Sequence, residues 1–272
     1  MHQPDKPLLS IVVPVKNEEV TLPALAGEVS AAMAGVDYAW EVVWVDDGST
    51  DRSLEIMRAL PAPHRFIRLD RNHGQSAAFA AGFRSALGAW VGTIDGDGQN
   101  DPQDLPKQLA HALATKADMV NGYRAKRQDS LVRKISSKVG NGFRNWITGE
   151  TEVRDVGCST RVVRREAVLD LPFFHGMHRF LPTLVRMRGY RMEQIAVNHR
   201  PRAGGRSKYG VWNRLWSGMR DCFGVRWLQS RHRSWKVVEG LGAADAELVP
   251  IQPQGAHQPS AVQGTKMAAR SS

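Results

Sequence analysis

The chain has 272 residues, 42% hydrophobic and 24% charged, an ordinary soluble-domain composition with room for one sizeable core or a core plus a subdomain. Its two cysteines, Cys158 and Cys222, exclude a disulfide framework and stand in no metal-ligand spacing, which points to a reducing cytosol. The net charge of +10 is unevenly placed: from Arg200 to Lys236 there are ten Lys/Arg against one acid, Asp221, so one segment carries the positive field.

The start, MHQPDKPLLS, lacks a basic stretch followed by a long apolar one, so no signal peptide is expected. No window reaches the ~18 apolar residues of a membrane-spanning helix. Leu8–Val15 (LLSIVVPV) and Trp40–Val45 (WEVVWV) read as buried parallel strands, each running straight into polar residues. Between them Leu22, Leu25, Val29 and Met33 recur at helical spacing, with Pro23 tolerable in the first turn. The alternation continues with a helix over Ser53–Leu60, a strand over Phe66–Leu69, a helix over Gln75–Leu87 and a strand over Trp90–Ile94. A helix over Leu105–Thr115 and a strand over Met119–Tyr123 follow. Repeated strand–helix units predict an α/β fold with an open, mostly parallel sheet and helices on both faces.

Ser130–Thr148 has the pattern of an amphipathic helix, with Leu131, Ile135, Val139, Phe143 and Trp146 inward and Arg133, Lys134, Lys138 and Arg144 outward. For Lys138 and Arg144 a solvated charged face is expected. Gly157–Val163 reads as a strand, Phe180–Arg188 as a helix, Tyr190–Asn198 as a strand, and Arg200–Gly210 (RPRAGGRSKYG) as a mobile basic loop. In Val211–Gln229 the apolar Trp212, Leu215, Trp216, Met219, Phe223, Trp227 and Leu228 make a tryptophan-rich face, flanked by Arg231, Arg233 and Lys236. Such a helix suits an anionic membrane interface, and a core helix or a dimer contact is the other reading. The division expected is a catalytic domain over 1–210, an amphipathic basic helix over 211–236 and a disordered tail over 237–272.

Thr93–Asp104 (TIDGDGQNDPQD) follows a buried strand with Asp95, Asp97 and Gln99 two apart, separated by Gly96 and Gly98, which let the backbone bend. Hard cations of the magnesium or manganese kind take such oxygen ligands, with water and substrate phosphates filling the remaining positions. A plain polar turn ahead of Pro102 would read the same way in isolation. In an open α/β sheet, however, ligands bind beyond the carboxyl ends of the strands. That rule gathers Asn17 and Glu18, Asp46 and Asp47, Asn72–Gln75, and Asp95 and Asp97 into one crevice.

Several stretches occur in the order found in a known family: VVPVKNEE (12–19), VDDGSTD (45–51), RNHGQSAAFAAGF (71–83), DGDGQNDP (95–102), RQDSLVRKISSK (127–138), DVGCSTRVVRRE (155–166), HRFLP (178–182) and RPRAGGRSKYG (200–210). Over about its first 210 residues the sequence resembles glycosyltransferase family 2, and within it the polyprenyl-phosphate glycosyltransferases. The segment from Arg127 to Glu166 resembles those that place 4-amino-4-deoxy-L-arabinose on undecaprenyl phosphate. The resemblance implies a GT-A fold and an inverting, metal-dependent transfer from a UDP- or GDP-sugar to a polyprenyl phosphate at the cytoplasmic membrane face. It implies that Pro14, Asn17, Glu18, Asp46 and Asp47 hold the base and ribose, with Gly74 and Gln75 nearby. Asp95 would face the diphosphate, and Asp95, Asp97 and Gln99 the cation. Arg202, Ser207 and Lys208 would close over the donor phosphates, and Arg124 and Arg133 would receive the acceptor phosphate.

A phosphate nucleophile is already ionised near neutrality and needs no strong base. In keeping with that, the Glu-Asp base and Q-x-x-R-W motif of hydroxyl-glycosylating relatives are missing, and the corresponding region reads HGMHRFLP. Asp155 is the nearest carboxylate and is assigned to substrate contact; His178 and Arg179 are equally readable as structural. Many relatives continue into transmembrane helices, so peripheral attachment, with a separate integral membrane protein as partner, is the expectation here. A soluble transferase acting on a polysaccharide or protein hydroxyl remains an alternative. A nucleic-acid-binding module would use the basic segment but leaves the acidic crevice unexplained, so nucleic acid is not expected as a partner.

Overall fold

The computed structural model describes residues 6–125, 140, 142–150, 153–200 and 211–233, with 211–217 described by their helical backbone. Of the residues singled out above, Leu131, Arg133, Lys134, Ile135, Lys138, Val139, Arg202, Ser207, Lys208 and Lys236 lie outside this set, as do the expected tail over 237–272 and the side chains of Trp212, Leu215 and Trp216.

In chain order the elements are β1 (Leu9–Val15), α1 (Leu22–Met33), β2 (Trp40–Asp46), α2 (Ser53–Ala59), β3 (His64–Arg68), α3 (Gln75–Ser85), β4 (Trp90–Thr93), α4 (Asp104–Thr115) and β5 (Met119–Arg124). A helical stretch at 142–148, here α5, comes next. Then follow β6 (Arg161–Arg164), α6 (Arg165–Leu169), a 3-10 turn at Met177–Phe180, α7 (Leu181–Met187), β7 (Met192–Val197) and α8 (Val211–Arg231).

The strands form one seven-stranded sheet in the order β3-β2-β1-β4-β6-β5-β7. β1 lies parallel to both β2 and β4, β3 is parallel to β2, and β7 is parallel to β5. β6 alone runs against its neighbours, β4 and β5. Strand β3 is the polar edge: Arg65 and Phe66 are exposed there, and charged side chains discourage a further strand from adding.

Alternation along the strands divides the core in two. Ile11, Val13 and Val15 of β1 and Val42 and Trp44 of β2 pack with Leu22, Leu25 and Val29 of α1 and Leu105 and Leu109 of α4. Val12, Val43 and Val45 face the other way, onto Phe79 and Phe83 of α3, with α7 and the Cys222 and Val225 positions of α8 in the same cluster. Helices therefore cover both faces, as the sequence pattern predicts.

Two side-chain expectations are corrected. Trp146 is 78% exposed and Arg144 only 5% exposed, the reverse of the inward–outward division read from the sequence. The face that α5 turns to the protein runs through Phe143, Arg144, Ile147 and Thr148, positions one and four apart, which leaves Trp146 off its edge. On α8 the burial also differs from the simple apolar face. Cys222 and Val225 are buried, whereas Phe223 and Trp227 are 57% and 60% exposed.

Candidate active site

β1 and β2 end side by side, Val15 opposite Asp46, so the two polar loops after them emerge together. They are then tied to each other. Asn17 donates its backbone N–H to Ser49 Oγ (3.0 Å) and accepts the Thr50 N–H on its side-chain oxygen (2.8 Å). The Glu18 N–H goes to Ser53 Oγ (2.9 Å), and Lys16 Nζ donates to the Gly48 carbonyl. Asn17 sits at φ 53°, a left-handed conformation that asparagine tolerates better than most residues.

The two carboxylates of the second loop differ in what they do. Asp46 is wholly buried; one oxygen accepts the Ser49 N–H (2.8 Å), and the other has no hydrogen-bond partner among the described residues and lies 3.4 Å from Arg68 Nε. A buried acceptor of that kind suits a ligand hydroxyl or amide. Asp47 spends both oxygens on backbone, accepting the N–H groups of His73 (2.7 Å) and Gly74 (2.8 Å). It therefore fixes the turn that starts α3, where Gly74 stands at φ 86° and an L side chain would be strained. Asp47→Ala would leave both N–H groups without this acceptor and should cost about 1–3 kcal/mol. Urea unfolding against the parent checks it, and an unchanged midpoint would show that water replaces the carboxylate at no cost.

That turn delivers Gln75 to the acidic loop. Gln75 Nε2 donates to one oxygen of Asp95 (2.6 Å) and Ser159 Oγ to the other (2.6 Å), while the Asp95 N–H is held by Asn100 Oδ1 (2.8 Å). The loop is pinned against the end of β1: Thr21 Oγ1 lies 3.0 Å from the Gly96 carbonyl, and a Cβ at Gly96 would come within 2.8 Å of the Pro14 carbonyl. Pro14, Gly96 and Asp95 are thus one packed unit, and any side chain at 96 would push them apart. Burial first, and then the neighbouring Asp97 carboxylate, push the Asp95 carboxyl above its ordinary range. Asp97 accepts the Gln99 N–H (3.1 Å), and the Gln99 carbonyl accepts the N–H of Arg200 (2.9 Å). Arg200 also pairs with Glu28 and Asp101, so the segment entering the basic loop is anchored beside the acidic one.

Among the described residues no three His, Cys, Asp or Glu side chains gather into a metal-holding cluster. A protein-only cage is therefore not what the loop offers. Two carboxylates repelling each other in a half-buried site do fit a magnesium- or manganese-like ion, which takes one or two carboxylates and completes its shell from water and substrate phosphates.

Arg124 and Asp155, both expected to meet substrate, meet each other: Nε and Nη2 of Arg124 fork onto the two carboxylate oxygens at 2.7 and 2.9 Å. His178 Nδ1 lies 2.8 Å from Ser76 Oγ, which also accepts the Gly176 N–H (2.9 Å), so the ring links α3 to the 3-10 turn. Beyond Asp95 and Gln75 opens a cavity of about 400 Å3, whose lining includes Ser159, Arg161, His178, Arg179 and Arg144 together with Phe79, Phe143, Leu181 and Met219.

The family model described as glycosyl transferase family 2 matches residues 10–171. The chain belongs to that family. Among curated proteins, this family 2 chain is 39% identical over 210 residues to dodecaprenyl-phosphate galacturonate synthase of Rhizobium johnstonii, covering 75% of the chain and 62% of the relative. It is 40% identical over 205 residues to undecaprenyl-phosphate 4-deoxy-4-formamido-L-arabinose transferase of Pectobacterium carotovorum, covering 74% and 62%. The chain thus spans less than two thirds of these relatives' own length. Among solved structures it resembles glucosyl-3-phosphoglycerate synthase from Mycobacterium tuberculosis in complex with Mn2+, UDP-glucose and phosphoglyceric acid, with a TM-score of 0.60, 20% identity and 80% of each chain covered. It also resembles S. aureus TarS in complex with UDP-GlcNAc, with a TM-score of 0.56, 18% identity, and 81% of this chain and 66% of that one covered. At such identities the likeness shows the GT-A fold of the family 2 chain and nothing further.

Sequence reasoning passed over Ser159, Asn100 and Arg161, and it placed Arg144 on a solvated face. Ser159 and Arg161 lie inside DVGCSTRVVRRE, a stretch that carried the resemblance but in which only Asp155 was singled out.

Proposed function

We propose that the chain transfers a sugar from a nucleoside-diphosphate donor to a polyprenyl phosphate at a membrane surface, with the help of a divalent cation. The observation that carries the reading is the meeting of the β1, β2 and α3 loops on the Asp95–Asp97 stretch. Two relatives named for transfer to, or synthesis of, a polyprenyl-phosphate sugar support the acceptor class. Structural neighbours crystallised with Mn2+ and either UDP or UDP-glucose support the donor and the cation.

In this reading Asn17, Glu18 and Asp46 face the nucleoside, with Asp47 and Gly74 shaping the turn beside it. Gln75 and Ser159 hold the Asp95 carboxylate in one orientation towards the diphosphate, so no reorganisation is needed as charge develops there. Asp95, Asp97 and Gln99 would hold the cation, which would supply positive charge to offset the negative charge gathering on the departing diphosphate. Arg202, Ser207 and Lys208, which follow Arg200 in the sequence, would add to it. An acceptor phosphate oxygen forms the new bond to the anomeric carbon as the bond to the diphosphate breaks, and its electron pair leaves with the nucleotide. Attack opposite the leaving group inverts the anomeric centre.

No helix among the described residues is long and apolar enough to cross a membrane. The exposed side chains of Trp146, Phe223 and Trp227, set among exposed Arg220, Arg226 and Arg231, support contact with an anionic lipid surface. Vesicles containing anionic lipid should sediment the protein and neutral vesicles should not, with binding weakened as salt rises. Equal binding to both would remove the electrostatic part of this reading.

The deciding experiment offers UDP- and GDP-sugars with undecaprenyl phosphate and follows label into the organic phase, with and without EDTA. Cation-dependent transfer to lipid is expected. Transfer only to water-soluble glycan would overturn the acceptor, and full activity in EDTA would overturn the cation.

A further inference from the structure

Three arginines stand in the wall of the cavity beyond Asp95, and for two of them, Arg144 and Arg161, no carboxylate hydrogen bond neutralises the charge among the described residues. Arg161 is 3% exposed; its Nη1 and Nη2 donate to the carbonyls of His178 and Cys158, and its Nε has no partner among the described residues. Arg144 is 5% exposed; one Nη donates to Asn145 Oδ1 (2.9 Å), while Nε and the other Nη have no partner among the described residues. Burying a guanidinium with donors unmet is costly, and burial pulls both groups below their ordinary range. Two such groups, from α5 and β6, line the same cavity.

The rest of the wall says what kind of anion fits. Phe79, Phe143, Phe180, Leu181 and Met219 make it largely apolar, which suits hydrocarbon better than a sugar. Phe143 also packs against the exposed rings of Trp146 and Phe223, with centroids 6.2 and 6.0 Å away, so the cavity wall is continuous with an aromatic patch on the surface. Asp95 borders the same cavity, which puts an anion held there next to the transfer site.

We infer that Arg144 and Arg161 bind the phosphate of the polyprenyl acceptor, with its first isoprene unit against Phe143 and Met219. The inference rests on the proposed function and relocates the acceptor phosphate. Of Arg124 and Arg133, the two residues that sequence resemblance offers for that task, Arg124 is forked onto Asp155 and Arg133 lies outside the described residues.

The test uses the full chain. For Arg144→Met, and separately Arg161→Met, the KM for polyprenyl phosphate should rise roughly 10- to 100-fold, the loss expected when a charge-assisted hydrogen bond is removed. The KM for the nucleotide-sugar should stay within about twofold of the parent, and Arg144→Lys should recover part of the acceptor affinity. A rise in donor KM instead would place an anionic part of the donor in the cavity and overturn the inference, as would an unchanged acceptor KM. Because a buried arginine variant can fail to fold, the parent protein is also photolabelled with a diazirine-bearing short-chain polyprenyl phosphate and mapped by peptide. Labelling on the peptides containing Phe143 or Met219, competed by polyprenyl phosphate but not by the neutral polyprenol, is expected. Specific labelling confined elsewhere overturns the inference while leaving the acceptor class standing; no specific binding of polyprenyl phosphate to the parent overturns the acceptor class itself.

Discussion

Asp97→Asn should lower turnover by roughly 10^2- to 10^3-fold or more while the unfolding midpoint stays within the ~1 kcal/mol typical of a change at a partly exposed charge. The asparagine carbonyl can still accept the Gln99 N–H, so the turn that Asp97 builds survives. What is lost is a charge beside Asp95, and the Asp95 carboxyl loses a neighbour that raises its pKa. In the absence of cation the parent therefore holds two like charges together, a local cost that the variant lacks. Cation binding should reverse the comparison: Mn2+ should stabilise the parent against heat, as any ligand of the native state does, and stabilise the variant much less. Turnover within a few-fold of the parent, or equal Mn2+ stabilisation of both proteins, would remove Asp97 from the cation site.

Strands β1 and β2 were legible because each is a mostly apolar run leading into polar residues, and α1 because it carries an apolar stripe of the right period. Leu22, Leu25, Val29 and Met33 were read as inward and are buried. Strand direction was not written in that pattern. Arg161–Arg164 is an apolar pair between arginines in either orientation, and its reversal is decided by where the preceding chain enters the sheet. The nucleotide and acidic loops were legible as a set because the end of a parallel strand is a place as well as a sequence position. Within the set, roles were not. Asp46 and Asp47 are neighbours of the same type, yet one keeps an oxygen unmet and the other ties down a turn 26 and 27 residues away. Arg144 was misread for a related reason. Helical periodicity places charge outward on average, and Arg144 breaks that average; what marks it is burial with donors unmet among the described residues.

Asp155→Ala should destabilise the protein by about 3–5 kcal/mol, the cost of stranding one member of a buried ion pair. The side chains of Arg124 and Asp155 are 17% and 7% exposed, and the fork is joined by a third bond, from the Arg124 N–H to the same carboxylate at 3.3 Å. Asp155 lies ahead of the 158–161 segment that supplies Ser159 and Arg161, and Arg124 ends β5, so the pair fixes the approach of that segment to the sheet. The double replacement Arg124→Met with Asp155→Leu should recover most of the loss, because apolar residues of similar volume leave no buried charge behind. Urea unfolding of Arg124→Met, Asp155→Leu and the double variant closes the cycle. A coupling of several kcal/mol identifies a structural pair, for which any loss of activity follows loss of fold. A coupling below about 1 kcal/mol is the value for a surface pair, and would return Arg124 to consideration as an anchor for the acceptor phosphate.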